Sequence, residues 1–258
     1  MKDSLKQKLI EYYKKGLRFD GRKLDEYRKI ELKTGVTASA EGSARVKIGK
    51  TDLIVGVKMA IEQPYPDTPD KGNLMVNAEL MPLSSEQFEP GPPGEEAIEL
   101  ARVVDRGIRE SETIDTTKLC IIPGEKVWSI MIDICTINAD GNLLDAAALG
   151  TIAALKDAKF PKLNKDNTVN YEEKTNKGLP LTNEPIEVTV LKIGDFLIVD
   201  PLPQEEKAFD ARLTVAVAKD GQLCALQKGG TKPLTIEELD EMVTLAKQKS
   251  TMLRKKLQ

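Results

Sequence analysis

Hydrophobic side chains alternate with other residues along several short stretches, a pattern typical of strands in a sheet with two different faces. In the stretch SIMIDICTI (129–137), Ile130, Ile132 and Ile134 share one face. A loop of turn-forming residues (138–146) follows, and then an apolar stretch that continues to Lys156. We predict a strand, a loop and a helix here, with Asp145 capping the helix N-terminus.

A second helical pattern extends from Glu96 to about Glu112, and its two faces differ in character. One face is apolar and carries Leu100, Val103, Val104, Gly107 and Ile108. The opposite face carries three arginines, Arg102, Arg106 and Arg109. Two interpretations are open: a solvated face neutralised by Asp105 and Glu110, or a row of guanidinium groups that binds a phosphate backbone.

Similar sets of elements recur in the two parts of the chain, after a predicted N-terminal helix over 1–15. Residues 161–185 are polar, which predicts a linker or an excursion from the core. We therefore predict an α+β protein with an extra N-terminal helix and two similar strand-strand-helix halves packed together. The first half with the helix would span 1–160, and the second half would span 186–258.

The composition excludes several classes of site. The chain has 258 residues, 40% of them apolar and 31% charged, and a net charge of −3, so nucleic-acid binding would need a local basic patch. It contains no histidine, which excludes histidine-based catalysis and histidine metal sites. Three widely spaced cysteines are typical of reduced, buried thiols in a cytoplasmic protein: Cys120, Cys135 and Cys224. With no long apolar run, no membrane span is predicted.

The loop 138–146 is predicted to present free backbone N–H groups at a helix N-terminus, a common arrangement for binding phosphate. However, Leu143, Leu144 and Asp145 stand where an anion site would use Gly, Ser, Thr or Arg. An acid at this position competes with phosphate for the same N–H groups. The sequence therefore predicts the backbone geometry of an anion site without the side chains that such a site needs. The alternative is that the loop only connects the strand to the helix and caps the helix.

Short motifs spread over nearly the whole chain resemble those of RNase PH-like proteins. The N-terminal motifs are Phe19-Asp20-Gly21-Arg22, Arg28-Lys29-Ile30, Gly35, Glu41-Gly42-Ser43-Ala44 and Gly49-Lys50-Thr51. The helix AIELARVVDRGIRE, after a proline-rich loop, and the closing stretch QLCALQKGGTKPLTIEELDEM are also similar. Within the family, the stretch DPLPQEEKAFDARLTVAV and the N-terminal helix look most like the non-catalytic ring subunits of the archaeal exosome.

This resemblance implies an RNase PH-like fold in a hexameric ring of three heterodimers. Each heterodimer would pair the chain with a catalytic RNase PH-like subunit that degrades single-stranded RNA from its 3′ end with inorganic phosphate. RNA-binding cap subunits would cover one face of the ring. The arginine helix would border the partner's site, so Arg102, Arg106 and Arg109 are the predicted RNA-binding residues.

Departures from the family pattern imply that the chain has no catalytic residues, metal or cofactor of its own. Active members carry a Gly-Gly-Thr/Ser-Arg type of phosphate loop where this chain has Gly141-Asn142-Leu143-Leu144, so the arginine is missing. They also carry two acids six residues apart, where this chain has Glu206 and Arg212, and a cation there would repel Mg²⁺. Asp210 lies nearby, so an active phosphate-dependent exoribonuclease remains the alternative, and a pure scaffold is the third hypothesis.

Overall fold

The computed structural model describes residues 2–164 and 168–257. Five α-helices occur in this part of the chain: α1 (Lys2–Tyr13), α2 (Glu95–Glu110), α3 (Leu143–Asp157), α4 (Pro203–Glu206) and α5 (Ile236–Arg254). Its strands are β1 (Ile30–Thr34), β2 (Gly42–Ile48), β3 (Thr51–Glu62), β4 (Asn73–Glu79), β5 (Cys120–Ile122), β6 (Lys126–Asn138), β7 (Lys159–Leu163), β8 (Val169–Gly178), β9 (Ile186–Ile193), β10 (Phe196–Val199), β11 (Ala211–Val217) and β12 (Leu223–Gly229). The α+β class is therefore as predicted.

The first half is built on a six-stranded sheet with the order β1-β2-β3-β6-β4 and β5 paired to β6. All pairs are antiparallel except β4 with β6. The alternation in β6 has the predicted effect, because Ile130, Ile132 and Ile134 are buried in the core. Helix α3 packs on β2 and β3, and Gly150 permits this close approach, since a Cβ there would lie 2.9 Å from Val55.

The second half is an antiparallel sheet of four strands with the order β10-β9-β11-β12. Helix α5 packs on β9 and β11, and it begins at Thr235 with a reciprocal capping box to Glu238. Helix α3 contacts both β2 and β9, and one continuous apolar core joins the two halves. The two halves are therefore packed together across α3, and the site described below lies at this junction.

One prediction about local structure was wrong, and a second segment contains strands that its polar sequence did not indicate. Helix α3 begins at Leu143, so Asp145 lies in its first turn, and the preceding cap is Asn142 in the left-handed region with φ 56°. The polar segment 161–185 includes most of a strand pair, β7 with β8, although 165–167 lie outside the described residues. Strand β8 is largely exposed, so it has no apolar alternation that would have indicated a strand.

The three cysteines are unpaired as predicted, but each is half-buried rather than buried. Cys120, Cys135 and Cys224 lie on β5, β6 and β12. No helix in the described ranges is long and apolar enough to cross a membrane.

Candidate nucleic-acid interface and anion cleft

Helix α2 presents the predicted arginine face to solvent. Its opposite face is buried through Ala97, Leu100, Val103, Val104, Gly107 and Ile108. This face packs against β4, α3 and β12, which fixes the helix between the two halves. Arg102, Arg106 and Arg109 are all exposed, so the helix holds three guanidinium groups on one outer surface, hereafter the arginine face.

Arg109, the last of these arginines, already has hydrogen-bond partners within the protein. Both Asp105 carboxylate oxygens accept hydrogen bonds from Arg109, at 2.7 and 3.0 Å. A third bond runs from Arg109 Nη2 to the carbonyl oxygen of Leu74 at 2.9 Å. The hydrogen bond to Asp105 raises the pKa of Arg109. This guanidinium is therefore partly neutralised, and it would have to exchange partners in order to bind a phosphate.

The other two arginines have no carboxylate partner within the described ranges. Arg106 donates from Nη1 to Oε1 of Gln227 at 3.2 Å, and the suggested pair with Glu110 is not formed. Arg102 makes no hydrogen bond or ion pair there. One helical turn separates Arg102 from Arg106, about 6 Å along the axis. They can therefore offer two forked sets of donors to successive phosphates of one strand.

A buried acid lies directly beneath the arginine face. A Cβ at Gly107 would overlap Oε1 of Glu187, so the carboxyl group of Glu187 is pressed against the α2 backbone. Burial raises the pKa of Glu187 well above its usual value, and its Oε2 has no hydrogen-bond partner in the described structure. Burial thus favours the neutral form of Glu187, and it forms no ion pair with Arg106 in the described ranges. Glycine at 107 lets α2 sit this close to β9.

The loop before α3 is held by the segment that precedes β11. Gly141 has φ 80°, and a Cβ there would overlap the carbonyl oxygen of Pro201. Asn142 donates from Nδ2 to Asp200 Oδ1 at 2.9 Å, and Asp200 is in turn bound by Arg28 Nη2 at 2.7 Å. These contacts fix the start of α3 at the junction of the halves.

The acid predicted as the helix cap has a different role. Asp145 is fully buried and accepts hydrogen bonds from Tyr27 Oη at 2.6 Å, Thr189 N at 2.7 Å and Asn142 Nδ2 at 3.1 Å. Burial raises its pKa to about 7, although these hydrogen bonds oppose the shift. Asp145 thus ties α3 to β9 and to the segment before β1, and it does not compete for an anion at the helix end.

A different acid takes the anion position. The first N–H of the α3 turn, on Asn142, donates to Oε1 of Glu206 at 2.8 Å. Glu206 lies in a concave cleft, where the surrounding protein raises its pKa to about 7. The residue nevertheless remains exposed, so this desolvation is partial. A carboxylate of the chain itself therefore occupies the place where a helix N-terminus would bind phosphate.

The cleft around Glu206 is a cavity of about 510 Å³ between α2, α3, β9 and α4. Arg212 lines it, and its guanidinium is bound to Glu99 of α2. Asp210 does not line it: this acid accepts from Lys6 at 2.6 Å and from Gly194 N at 2.8 Å. Burial acts to raise the pKa of Asp210, but the bonds from Lys6 and Gly194 outweigh it and lower the pKa. Asp210 is therefore a strand-edge carboxylate in an ion pair.

Glu206 and Asp210 were the two candidate acids for metal binding or catalysis. They have different partners, because Glu206 contacts the start of α3 and Asp210 pairs with Lys6 of α1. Within the described ranges, no group of three or more Asp, Glu or Cys residues could hold a metal ion. Sequence reasoning missed the bond from Asn142 to Glu206 because 64 residues separate the two. The only available signal was the acidic pair Glu205-Glu206 placed soon after a strand.

Comparisons with known proteins match both halves of the chain. Residues 26–161 match domain 1 of the 3′ exoribonuclease family (RNase_PH), and 183–249 match its domain 2. The exosome complex component Rrp42 of Methanocella arvoryzae is 50% identical over 94% of this chain and 91% of that protein. Its counterpart from Archaeoglobus fulgidus is 48% identical over 93% of this chain and 90% of that protein.

Solved structures give the same result. A chain of the Archaeoglobus fulgidus exosome with RNA bound to the active site superposes with a TM-score of 0.92, at 46% identity over 100% of this chain and 99% of that chain. A chain of an archaeal exosome core superposes with a TM-score of 0.87, at 42% identity over 99% of this chain and 97% of that one. On these matches, the chain belongs to the 3′ exoribonuclease (RNase PH) family.

Proposed function

We propose that this chain is a ring subunit of an archaeal exosome that binds RNA for a catalytic partner and does no chemistry itself. The relatives above are named as exosome components, and one matching structure is an exosome with RNA in its active site. Three heterodimers, each formed with a catalytic RNase PH-like subunit, would close the ring. RNA-binding cap subunits would cover one face, and the assembly would work in the cytoplasm.

The proposed absence of catalytic activity is supported by the hydrogen bond between Glu206 and the backbone of Asn142. A phosphorolytic enzyme must bind inorganic phosphate as its nucleophile, and here a carboxylate accepts the N–H that phosphate would use. Leu143 and Leu144 supply no cation beside it. The Glu206 carboxylate would also repel a phosphate in this cleft, so phosphate is disfavoured in this position.

The arginine face supplies the RNA-binding part of the proposal. Arg102 and Arg106 are exposed and free of carboxylate partners within the described ranges, whereas Arg109 is engaged by Asp105. We expect Arg102 and Arg106 to hold phosphates of a single strand, with a smaller contribution from Arg109. Contacts of this type do not depend on base identity. They weaken as the salt concentration rises, because the free energy gained by releasing counterions from the RNA becomes smaller.

The experiment compares RNA binding and turnover by the chain, by its complex with the catalytic partner, and by that complex carrying Arg102→Ala and Arg106→Ala. A charge-matched control carries Lys247→Ala and Lys255→Ala on the exposed surface of the C-terminal helical segment. We expect no degradation by the chain alone, and a loss of affinity only in the arginine variant. Each lost phosphate contact should lower the salt-dependence slope by about 0.7.

Two outcomes would reject parts of the proposal. Phosphate-dependent shortening of RNA by the purified chain would establish the active-enzyme alternative, and residual partner must first be excluded by mass. Equal affinity and salt dependence in the arginine variant and the lysine control would leave only a scaffold role.

A further inference from the structure

We propose that Arg18 is a positioning residue, which holds the segment 199–206 so that Glu206 covers the N-terminus of α3. The inference rests on the proposed function, because Glu206 matters only if this helix end would otherwise bind phosphate. Arg18 lies between α1 and β1, is 1% exposed, and is not among the described residues that line the cleft. It can therefore act on the helix end only through the residues that it holds.

The guanidinium group of Arg18 makes all of its contacts with this one segment. Nη1 donates to the carbonyl oxygen of Val199 at 2.8 Å, and Nη2 donates to that of Asp200 at 2.8 Å. Nε donates to Oε1 of Glu205 at 2.9 Å, and Nη2 also bonds Oε2 of the same carboxylate. The forked group therefore joins the beginning of the segment to its end, which the single ammonium of a lysine could not do.

Glu205 passes this contact on to Glu206, the next residue in the chain. The Glu205 carboxylate is fully buried, and it also accepts hydrogen bonds from Tyr13 Oη at 2.8 Å and from Leu202 N at 2.7 Å. Both acids belong to the single turn of α4, in which the Glu206 N–H donates to the carbonyl oxygen of Leu202 at 3.0 Å. Fixing the Glu205 side chain therefore fixes the turn from which Glu206 Oε1 reaches Asn142 N.

The other end of the segment, at Asp200, has an uncommon backbone conformation. Its φ is 45°, in the left-handed region that residues with a Cβ seldom adopt. Arg18 binds its carbonyl oxygen, while its carboxylate accepts from Asn142 Nδ2 at 2.9 Å and from Arg28 Nη2 at 2.7 Å. Both ends of the segment are thus joined to the start of α3, one through Asp200 and the other through Glu206. Because a helix of one turn has little stability of its own, these contacts set its position.

Removing the guanidinium group should release the turn. Glu205 would be left as a buried carboxylate without its cation, which is strongly unfavourable. The turn would lose the contact that joins its two ends, and Glu206 would no longer be held against Asn142 N. The freed helix end should then bind an oxyanion more tightly, as expected for removal of the Glu206 side chain itself.

The test titrates sulfate into the full chain at pH 6 and pH 8, for the wild type, Arg18→Ala, Arg18→Lys and Glu206→Ala. Lysine keeps the charge but not the fork, so Arg18→Lys provides a folded variant if alanine is not tolerated. At pH 8 we expect sulfate to bind about fivefold more tightly to Glu206→Ala and about threefold more tightly to either Arg18 variant. Loss of a cation alone would weaken sulfate binding, so a gain in Arg18→Ala has the opposite sign to a simple charge effect. The wild type should bind sulfate less tightly at pH 8, as Glu206 becomes charged, and both Arg18 variants should show a flatter dependence.

Arg254→Ala is the matched control for the loss of an arginine. Arg254 likewise donates to three backbone carbonyl oxygens, but these belong to residues outside the cleft lining. This variant should not bind sulfate more tightly than the wild type does. Arg18→Lys combined with Glu206→Ala should bind sulfate as Glu206→Ala alone does, because both changes act through the same carboxylate.

The outcomes separate the positioning role from the proposed function. If Glu206→Ala gains affinity while both Arg18 variants bind sulfate as the wild type does, the positioning role is rejected and the proposed function stands. If Glu206→Ala gains nothing, Glu206 blocks no anion site and both fail. An equal gain in Arg254→Ala, or additive gains in the combined variant, would mean that Arg18 acts on stability in general, and the positioning role would be overturned.

Discussion

Replacing Glu206 with alanine removes the carboxylate that occupies the N-terminus of α3. In the wild type, Glu206 Oε1 accepts the Asn142 N–H at 2.8 Å. The variant frees this donor, and it removes one negative charge from the cleft. We expect Glu206→Ala to bind an inorganic oxyanion such as sulfate or phosphate more tightly than the wild type does, because the helix end then matches an ordinary anion site.

The size of the gain follows from the charge removed. Two unit charges at about 4 Å repel by about 1 kcal/mol in water and by about 4 kcal/mol at an effective dielectric constant of 20. Because Glu206 is exposed, the lower part of this range applies, and we expect a gain of about 1–2 kcal/mol. This corresponds to roughly 5- to 30-fold tighter binding.

Sulfate titration at several pH values is the sharpest assay, because the charge of sulfate is constant between pH 6 and pH 8. Partial burial raises the pKa of Glu206 to about 7, so its carboxyl is mostly neutral at pH 6 and mostly charged at pH 8. The wild type should therefore bind sulfate more tightly at pH 6, whereas Glu206→Ala should show a much flatter dependence. Glu241→Ala serves as the control for net charge.

The same variant should still not degrade RNA, because Leu144 supplies no cation for the attacking phosphate. If wild type, Glu206→Ala and Glu241→Ala bound sulfate equally and with the same pH dependence, Glu206 would not be blocking an anion site. The proposal that this chain lacks phosphorolytic chemistry would then have to rest on the missing arginine alone.

Three further predictions concern stability, measured by urea unfolding. Gly107→Ala should lower the free energy of unfolding by about 1–3 kcal/mol, because the added Cβ overlaps Glu187. An unchanged urea midpoint would contradict this, since it would mean that α2 moves to make room for the methyl group. Arg18→Ala should cost about 3–5 kcal/mol, because it leaves Glu205 buried without its ion partner; less than 1 kcal/mol would contradict this. Asp145 has a pKa raised to about 7 by burial, so the folded state holds a proton that the unfolded state loses above pH 4. Asp145 should therefore contribute a fall in stability as pH rises from 4 to 7, of at most about 1.4 kcal/mol per pH unit, and Asp145→Asn should remove this contribution while those of Glu187 and Glu206 remain.

Local patterns predicted the elements well, because burial on one face leaves a period in the sequence. The burial of α2 and the face shared by Ile130, Ile132 and Ile134 were both correctly predicted in this way. Contacts between distant parts of the chain leave no such period. Neither the bond from Asn142 to Glu206 nor the ion pair of Lys6 with Asp210, 204 residues away, could be predicted.

The position of Asp145 shows how such a contact changes an interpretation. In the sequence, an acid just before an apolar helix is typical of an N-cap. In the structure, its three hydrogen bonds reach Tyr27, Thr189 and Asn142, so it joins α3 to both halves. The carboxylate at the helix end is thus Glu206 and not Asp145, and the conclusion that the loop lacks the chemistry of an anion site stays a prediction.

On the proposed function, the separation of charge within the chain would let one fold bind RNA and yet exclude the phosphate nucleophile. The net charge of −3 gives no general attraction for a polyanion. Arg102 and Arg106 face solvent on one side of α2, while Glu96 and Glu99 of the same helix line the acidic cleft. On the proposed function, the adjoining acidic cleft would therefore repel an RNA strand held on the arginine face. The reaction would then take place in the partner subunit.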